Sequence, residues 1–203
     1  MRGDKQSTYH TSEEKNMNKV RIGCVVMASG MSLRFGRNKL LEKIGGRTFI
    51  ETGLDKTEGI FDRRIVLTRT TEVCSICLER GVEVYLHDRE FRSEAVAMGI
   101  EMMKDMDGCL FCPCDQPLLR KESIEKLAEE FRRGGGGIYR LGNRSPVLFS
   151  KEYYDELLNL DRNEGGRILA DKYPDDVRII PADERELADV DTQEDLDKLM
   201  QLM

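Results

Sequence analysis

The residues with the most chemical promise fall at two points in the chain. Ala28, Ser29 and Gly30 directly follow an apolar run and are small enough for a ligand to approach their backbone. Arg34, Arg37 and Lys39 follow within ten residues, then Lys43 and Arg47, with only Glu42 offsetting them. That local excess of cations suits a polyanion, Arg offering a planar fork and Lys a point charge. The second point is Asp115, held between Pro113 and Pro117 after the apolar run Gly108–Cys112. A carboxylate on so stiff a turn suits Mg²⁺, which takes one or two protein oxygens and fills its shell with water and phosphate. Plainer alternatives are a solvated basic helix start and an Asp bonding its own turn. Neither Walker's G-x4-G-K-[ST] nor G-x-G-x-x-G occurs in the first loop.

Such groups need strand ends and helix starts to hold them. Short β-type runs, Val20–Met27, Arg64–Leu67, Val82–Leu86, Cys109–Cys112, Val147–Phe149 and Val177–Ile180, alternate with helical stripes. Ile124, Leu127, Ala128 and Phe131 form one stripe, and Val96, Ile100 and Met103 another. Thr48 with Glu51 has capping-box form, and Thr192 with Asp195 a looser version before a helix whose Leu196, Leu199 and Met200 share a face. Gly134–Gly137 ends a helix, and Gly142 with Asn143 turns a hairpin. This alternation predicts a three-layer α/β/α sandwich on a mainly parallel, Rossmann-like sheet, with an added hairpin near residues 137–149. Ligands of such sheets bind beyond the strands' carboxyl ends, where both chemical segments fall.

Composition narrows the function classes. The 203 residues suffice for one domain, with residues 1–18 reading as a polar tail and 19–203 as the domain. A net charge of −6 argues against a general nucleic-acid surface, and no apolar run approaches the roughly 20 residues of a membrane span. No signal-peptide pattern opens the chain, so the six Cys read as reduced thiols of a cytoplasmic protein. Cys74 with Cys77 and Cys112 with Cys114 lack the second pair of a zinc site. His87 stands alone after a strand, so no nucleophile–His arrangement is expected.

From Met27 the chain reads M-A-S-G-x-S-x-R-F-G-x-N-K-L-L. This closely resembles L-A-A-G-x-S-x-R-F-G-x-x-K-L-L, the opening signature of molybdenum cofactor cytidylyltransferase-like nucleotidyltransferases, which have a glycosyltransferase-A-type fold. Asp115-Gln116-Pro117-Leu118 is similar to their D-x-P-L/F, and Asp189–Leu196 to their D-I-D-T-P-E-D-L. Arg144–Phe149 resembles G-H-P-V-L-F with Ser145 for His, and Asn163–Arg167 loosely matches G-D-x-G-A-R. Departures lie at Met27 and Ser29, where the family usually has Leu and Ala, and across Phe91–Gly99.

The resemblance implies a CTP-dependent enzyme that moves CMP onto the phosphate of molybdopterin, as its molybdenum cofactor, and releases pyrophosphate. By it, Met27, Ala28, Ser29 and Gly30 hold the nucleotide with Arg34 and Lys39. Arg34, Lys39 and Asp115 are catalytic, and Asp115, with Asp191 and Asp189, holds Mg²⁺. The paired acids have a plainer alternative in helix N-terminal charge, which suits Glu194 and Asp195 better than Asp191. The implied partners are CTP, molybdopterin, and a molybdenum hydroxylase or its maturation factors, with no nucleic acid or membrane. Two alternatives stay open. One is a guanylyl- or sugar-phosphate nucleotidyltransferase of the same fold; the guanylyl signature has Gly at Ser29 and Met-Gly at Phe35-Gly36. The other is a non-catalytic nucleotide- or cofactor-binding accessory protein.

Overall fold

The computed structural model describes residues 19–32, 34–162 and 164–201. The expected tail, 1–18, lies outside the described residues. The main sheet holds β1 (Ile22–Ala28), β4 (Arg63–Thr68), β5 (Glu83–Leu86), β6 (Gly108–Pro113), β7 (Ile138–Leu141), β8 (Val147–Ser150) and β9 (Val177–Ile180). Their order is β5-β4-β1-β6-β8-β7-β9. All neighbours pair in parallel except at β8, which is antiparallel to both β6 and β7. The hairpin expected near residues 137–149 is therefore part of the sheet itself, with β7 between β8 and the edge strand β9. A ribbon of β2 (Lys43–Ile44) and β3 (Arg47–Thr48), too short to leave a periodic signal, stands apart.

The helices are α1 (Phe49–Thr57), α2 (Thr71–Glu79), α3 (Arg92–Met102), α4 (Lys121–Gly134), α5 (Tyr154–Leu158), α6 (Arg167–Lys172) and α7 (Gln193–Gln201). Side chains alternate along a strand, so each strand serves two cores. Ile22, Cys24 and Val26 of β1 face one that takes in Phe49 and Leu54 of α1, Val73 of α2, Phe131 of α4 and Leu196 of α7. Val25 faces the other, with Val96 and Ile100 of α3, Leu157 of α5 and Leu169 of α6. Both expected stripes are buried, and Thr48 and Glu51 form a complete capping box at α1. Met200 departs from expectation: Leu196 and Leu199 are buried, but Met200 is half-exposed on the outer side of α7.

All six cysteines are free, and five are buried. Burial pushes the Cys77 and Cys112 thiols up to about 11, away from the thiolate that would bind metal or react. Gly108 and Gly53 show how tight the interior is. A Cβ at Gly108 would stand 2.5 Å from the Phe131 ring, and one at Gly53 2.9 Å from the Cys114 sulfur.

β1 is flanked by β4 on one side and β6 on the other, and the chain reaches β4 first and β6 later. Strand order thus reverses between β1 and β6, where doubly wound sheets open a crevice at the strands' carboxyl ends. Met27 is in register with Pro113 there, so Ala28–Gly30 and Asp115 leave the sheet side by side.

Candidate functional site

A crevice of about 930 Å³ opens at this reversal. Met27, Arg34, Asp115, Asp189 and Asp191 line it, with Val96 of α3, Phe111 of β6 and Val147 and Phe149 of β8 supplying an apolar wall.

Lys39 is buried next to this lining and bonds two of its acids. The residue starts a 3-10 turn, Lys39–Leu41, capped by the Asn38 side chain, which accepts from the Leu40 N–H. The chain reaches that turn through Ser32, at φ 51°, whose carbonyl accepts from the Phe35 and Gly36 N–H groups. The Lys39 stem is buried, and its ammonium donates to Asp115 Oδ2 at 3.0 Å, Asp191 Oδ1 at 2.8 Å and the Val190 carbonyl at 2.9 Å. Burial opposes the charge, but the Asp115 field and the bonds to both carboxylates outweigh it and hold Lys39 above its ordinary value. The hydrogen bond from Lys39 leads the causes that hold Asp191 below its usual range. Arg34 reaches the second oxygen of Asp191, Oδ2, at 2.8 Å.

Lys39, which the resemblance placed on the nucleotide, thus clasps two acids from distant parts of the chain. The expected basic cluster also divides. Arg37 pairs with Glu42 and Arg47 with Asp55, while Lys43 is exposed, so only Arg34 and Lys39 of the five meet the crevice acids.

A second buried lysine fixes the Asp115 turn. Lys56 of α1 donates to the Gln116 carbonyl at 2.7 Å. The Gln116 side chain donates to the Leu187 carbonyl at 3.1 Å and to Asp189 at 3.0 Å, and the Val190 N–H donates to the Asp115 carbonyl at 2.8 Å. Residues 187–191 are thus strapped across the end of β6, which brings Asp189 and Asp191 beside Asp115. Asp189 is pushed up by partial burial and the nearby Asp115 charge, and Arg144 stands 3.5 Å away. The Thr192 and Asp195 side chains cap α7 reciprocally, as expected.

Asp115, Asp189 and Asp191 gather in the crevice but do not form a closed metal cage. Among the described residues, no three His, Cys, Asp or Glu side chains are disposed to hold an ion by themselves. Asp115 and Asp191 are about a third exposed, and all their donors are hard oxygens. Such a set fits Mg²⁺ bound by one or two carboxylates and completed by water and phosphate.

Ala28 is buried at the end of β1, whereas Gly30 is exposed, and a Cβ there would meet no protein atom within 4 Å. Ser29 donates to the Leu67 carbonyl and lies 2.7 Å from His87 Nε2. His87, read from sequence as a lone residue, thus touches the loop. No spacing could have flagged it, since the parallel pairing of β1, β4 and β5 makes the contact. Lys56 likewise carried no signal, while Gln116 could have been suspected from its place between Asp115 and Pro117. The far end of the crevice is lined by Arg92, Arg144, Ser145 and Arg167. Arg92 and Arg167 are exposed, and neither pairs with a described acid. Gly166 lies so close to Phe149 that a Cβ would stand 2.7 Å from the ring, which sets Arg167 at the start of α6.

The family described as MobA-like NTP transferase domain matches residues 24–177. A probable molybdenum cofactor guanylyltransferase of Geobacillus sp. (strain WCH70) is 28% identical over 112 residues, 54% of this chain and 57% of that protein. One from Halalkalibacterium halodurans is 30% identical over 110 residues, 53% of this chain and 55% of that protein. The chain thus spans little more than half the length of these relatives. Among solved structures, Rv0371c from Mycobacterium tuberculosis H37Rv superimposes with a TM-score of 0.79 at 23% identity, covering 90% of this chain and 99% of that one. No helix among the described residues is long and apolar enough to cross a membrane.

Proposed function

Because the chain belongs to the MobA-like NTP transferase domain family, we propose that it is a nucleotidyltransferase acting on molybdopterin or its molybdenum cofactor. The reaction joins a nucleoside monophosphate to the acceptor phosphate and releases pyrophosphate. The observation that carries this reading is the buried ammonium of Lys39 clasped between Asp115 and Asp191 at the strand-order reversal. An acceptor phosphate is already ionised at neutral pH, so the protein needs no base to activate it. Its task is to align the attacking oxygen, the α-phosphorus and the leaving pyrophosphate, and to neutralise their charge.

Asp115 and Asp191 are the residues that would hold Mg²⁺, with Asp189 beside them. When bound, that ion screens phosphate charge and polarises the reacting phosphoryl group. Lys39 holds the two acids close together and favours the charged form of Asp191. Arg34, exposed and held by one side of Asp191, can turn to the β- and γ-phosphates at little cost. Exposed Gly30 and the small neighbours Ala28 and Ser29 leave room for the nucleotide against the loop backbone.

CTP is the nucleotide that the first motif favours, through Ser29 and Phe35. GTP is the second reading, favoured by the names of both guanylyltransferase relatives. Pyrophosphate release, measured with each nucleoside triphosphate, with and without molybdopterin, tests both. Acceptor-dependent release with CTP is the expected result. Release with GTP alone would transfer the assignment to the second reading. Nucleotide binding without release in any combination would favour the non-catalytic accessory protein.

A further inference from the structure

Ser29 belongs to a hydrogen-bonded chain that runs across three strand ends. Its Oγ lies 3.1 Å from the Leu67 carbonyl on β4 and 2.7 Å from His87 Nε2, just beyond β5. The other ring nitrogen, Nδ1, lies 3.1 Å from the Arg89 N–H. The His87 N–H itself bonds the Thr68 carbonyl at 3.0 Å.

Only one proton arrangement satisfies this chain. A carbonyl cannot donate, so the Ser29 hydroxyl gives its hydrogen to Leu67. Arg89 N–H can only donate, so Nδ1 carries a lone pair. The ring proton is therefore on Nε2 and points at Ser29 Oγ. The loop is fastened at its other end too, where Asn38 Nδ2 donates to Thr70 Oγ1 at 3.2 Å. The Ser29 end is thus tied to β4 and His87, and the Asn38 end to Thr70 just after β4.

We propose that His87, as a neutral imidazole protonated on Nε2, is a positioning residue that holds Ser29, and with it the Ala28–Gly30 backbone, in the shape that receives the nucleotide. This rests on the reading of that loop as the nucleotide site. A second proton would go to Nδ1 and break the bond from Arg89. The ring's surroundings resist that proton. Burial comes first, then Arg69 from the end of β4 and Arg89 from the ring's own segment, against Asp88 and Glu94 of α3, and together they hold His87 below its ordinary value. The Arg89 bond that orients the ring is therefore intact at neutral pH and is lost as the pH falls below the usual histidine range, which frees the ring to turn away from Ser29.

The chain contains only two histidines, His10 and His87, so imidazole ¹⁵N spectra are simple to assign. The resonance lost in His87→Gln should show the Nε2–H tautomer and titrate below about 6.5. Binding of Mg·CTP and Mg·GTP is then measured between pH 5 and 8 in wild type, His87→Gln, His87→Ala and Ser29→Ala. Gln retains a donor toward Ser29 and does not titrate, so it should bind like wild type at pH 8 and lose the wild type's weakening at low pH. Ionisation of the triphosphate is common to both proteins. Loss of one such hydrogen bond in His87→Ala should weaken binding roughly three- to tenfold. The effect should fall on nucleotide KM with kcat nearly unchanged, and Ser29→Ala/His87→Ala should be no weaker than His87→Ala. An Nδ1–H tautomer, additive losses, or wild-type affinity in His87→Ala would each overturn the proposal. If wild type binds neither nucleotide, the transferase reading falls and amide exchange at Ser29 and Gly30 decides the role of His87. Protection lost in His87→Ala and kept in His87→Gln would uphold it, and equal protection in all three proteins would overturn it.

Discussion

The two ends of the crevice handle charge differently. Near β1 and β6 the charges are settled within the protein: Lys39 and Arg34 meet Asp115 and Asp191, two cations against two anions at 2.8–3.0 Å. Across the crevice Arg92 and Arg167 are exposed and pair with no described acid, although Glu164 and Asp171 line the same wall. The first end is preorganised, its carboxylates held in fixed positions by Lys39 and Arg34 before any ligand arrives. The second end is attractive and adaptable, since an exposed guanidinium loses little on turning to an anion. Metal-and-phosphate chemistry requires the former, and capture of an anionic acceptor requires only the latter.

The largest expected effect is at the settled end. Asp115→Asn is nearly isosteric but removes the charge that would hold a hard cation. Turnover should fall a hundred- to a thousandfold, about 3–4 kcal/mol, with circular dichroism unchanged. A folded variant at near wild-type rate would remove Asp115 from the chemistry. Lys39→Ala comes next and differs in kind, because it leaves two neighbouring carboxylates without their shared cation. Complete burial of the pair would make this cost about 3–5 kcal/mol; with both acids about a third exposed, about 2 kcal/mol is expected, read by urea denaturation. Lys39→Ala/Asp191→Asn should recover part of that loss. The depressed Asp191 gives the pH sign. Its contribution is full above the unfolded carboxylate range, about 4, and is lost as pH falls through its lower folded value. Lys39→Ala should therefore be less sensitive to acid than wild type.

The same contrast explains what the sequence disclosed. β1 and β6 are apolar runs ending in distinctive residues, so Asp115 and the Ala28–Gly30 loop were legible, as were the capping boxes and buried stripes, which are local signals. The clasp was not. It joins Lys39 to Asp191 across 152 positions, and only residues 187–191, strapped over the end of β6 by Gln116 and the Val190 N–H, create it. Hence the sequence named no protein partner for Lys39. His87 and Lys56 act through strand order and burial, neither of which has a period. The hairpin was expected, but its insertion between β6 and β9 depends on pairing that turn residues do not encode.

At the adaptable end the effects should be smaller and of another type. Arg167→Ala and Arg92→Ala should change stability by no more than about 0.5 kcal/mol, since neither side chain pairs with a described acid. Each should raise the acceptor KM several-fold, with nucleotide KM unchanged. Losses confined to the nucleotide would place these arginines at the wrong end and erase the contrast between the two.

The smallest perturbation separates the protein's needs from the ligand's. Most glycines here have a reason within the fold: Gly166 is crowded by Phe149, and Gly36 has φ 76°. Gly30 has neither, since an added Cβ meets no protein atom within 4 Å and its φ lies outside the left-handed range. Gly30→Ala should therefore fold normally and gain up to about 0.5–1 kcal/mol by restricting the unfolded chain. If the nucleotide lies against this backbone, the methyl group occupies space that the ligand needs. Nucleotide affinity should then drop several-fold while thermal stability is unchanged or higher, an opposition that no folding defect can produce. Calorimetric titration with Mg·CTP and Mg·GTP beside a melting curve reads both quantities. Unchanged affinity would show that the loop backbone is not in contact with the nucleotide, and the preorganised end of the crevice would then extend only from Lys39 to Asp115 and Asp191.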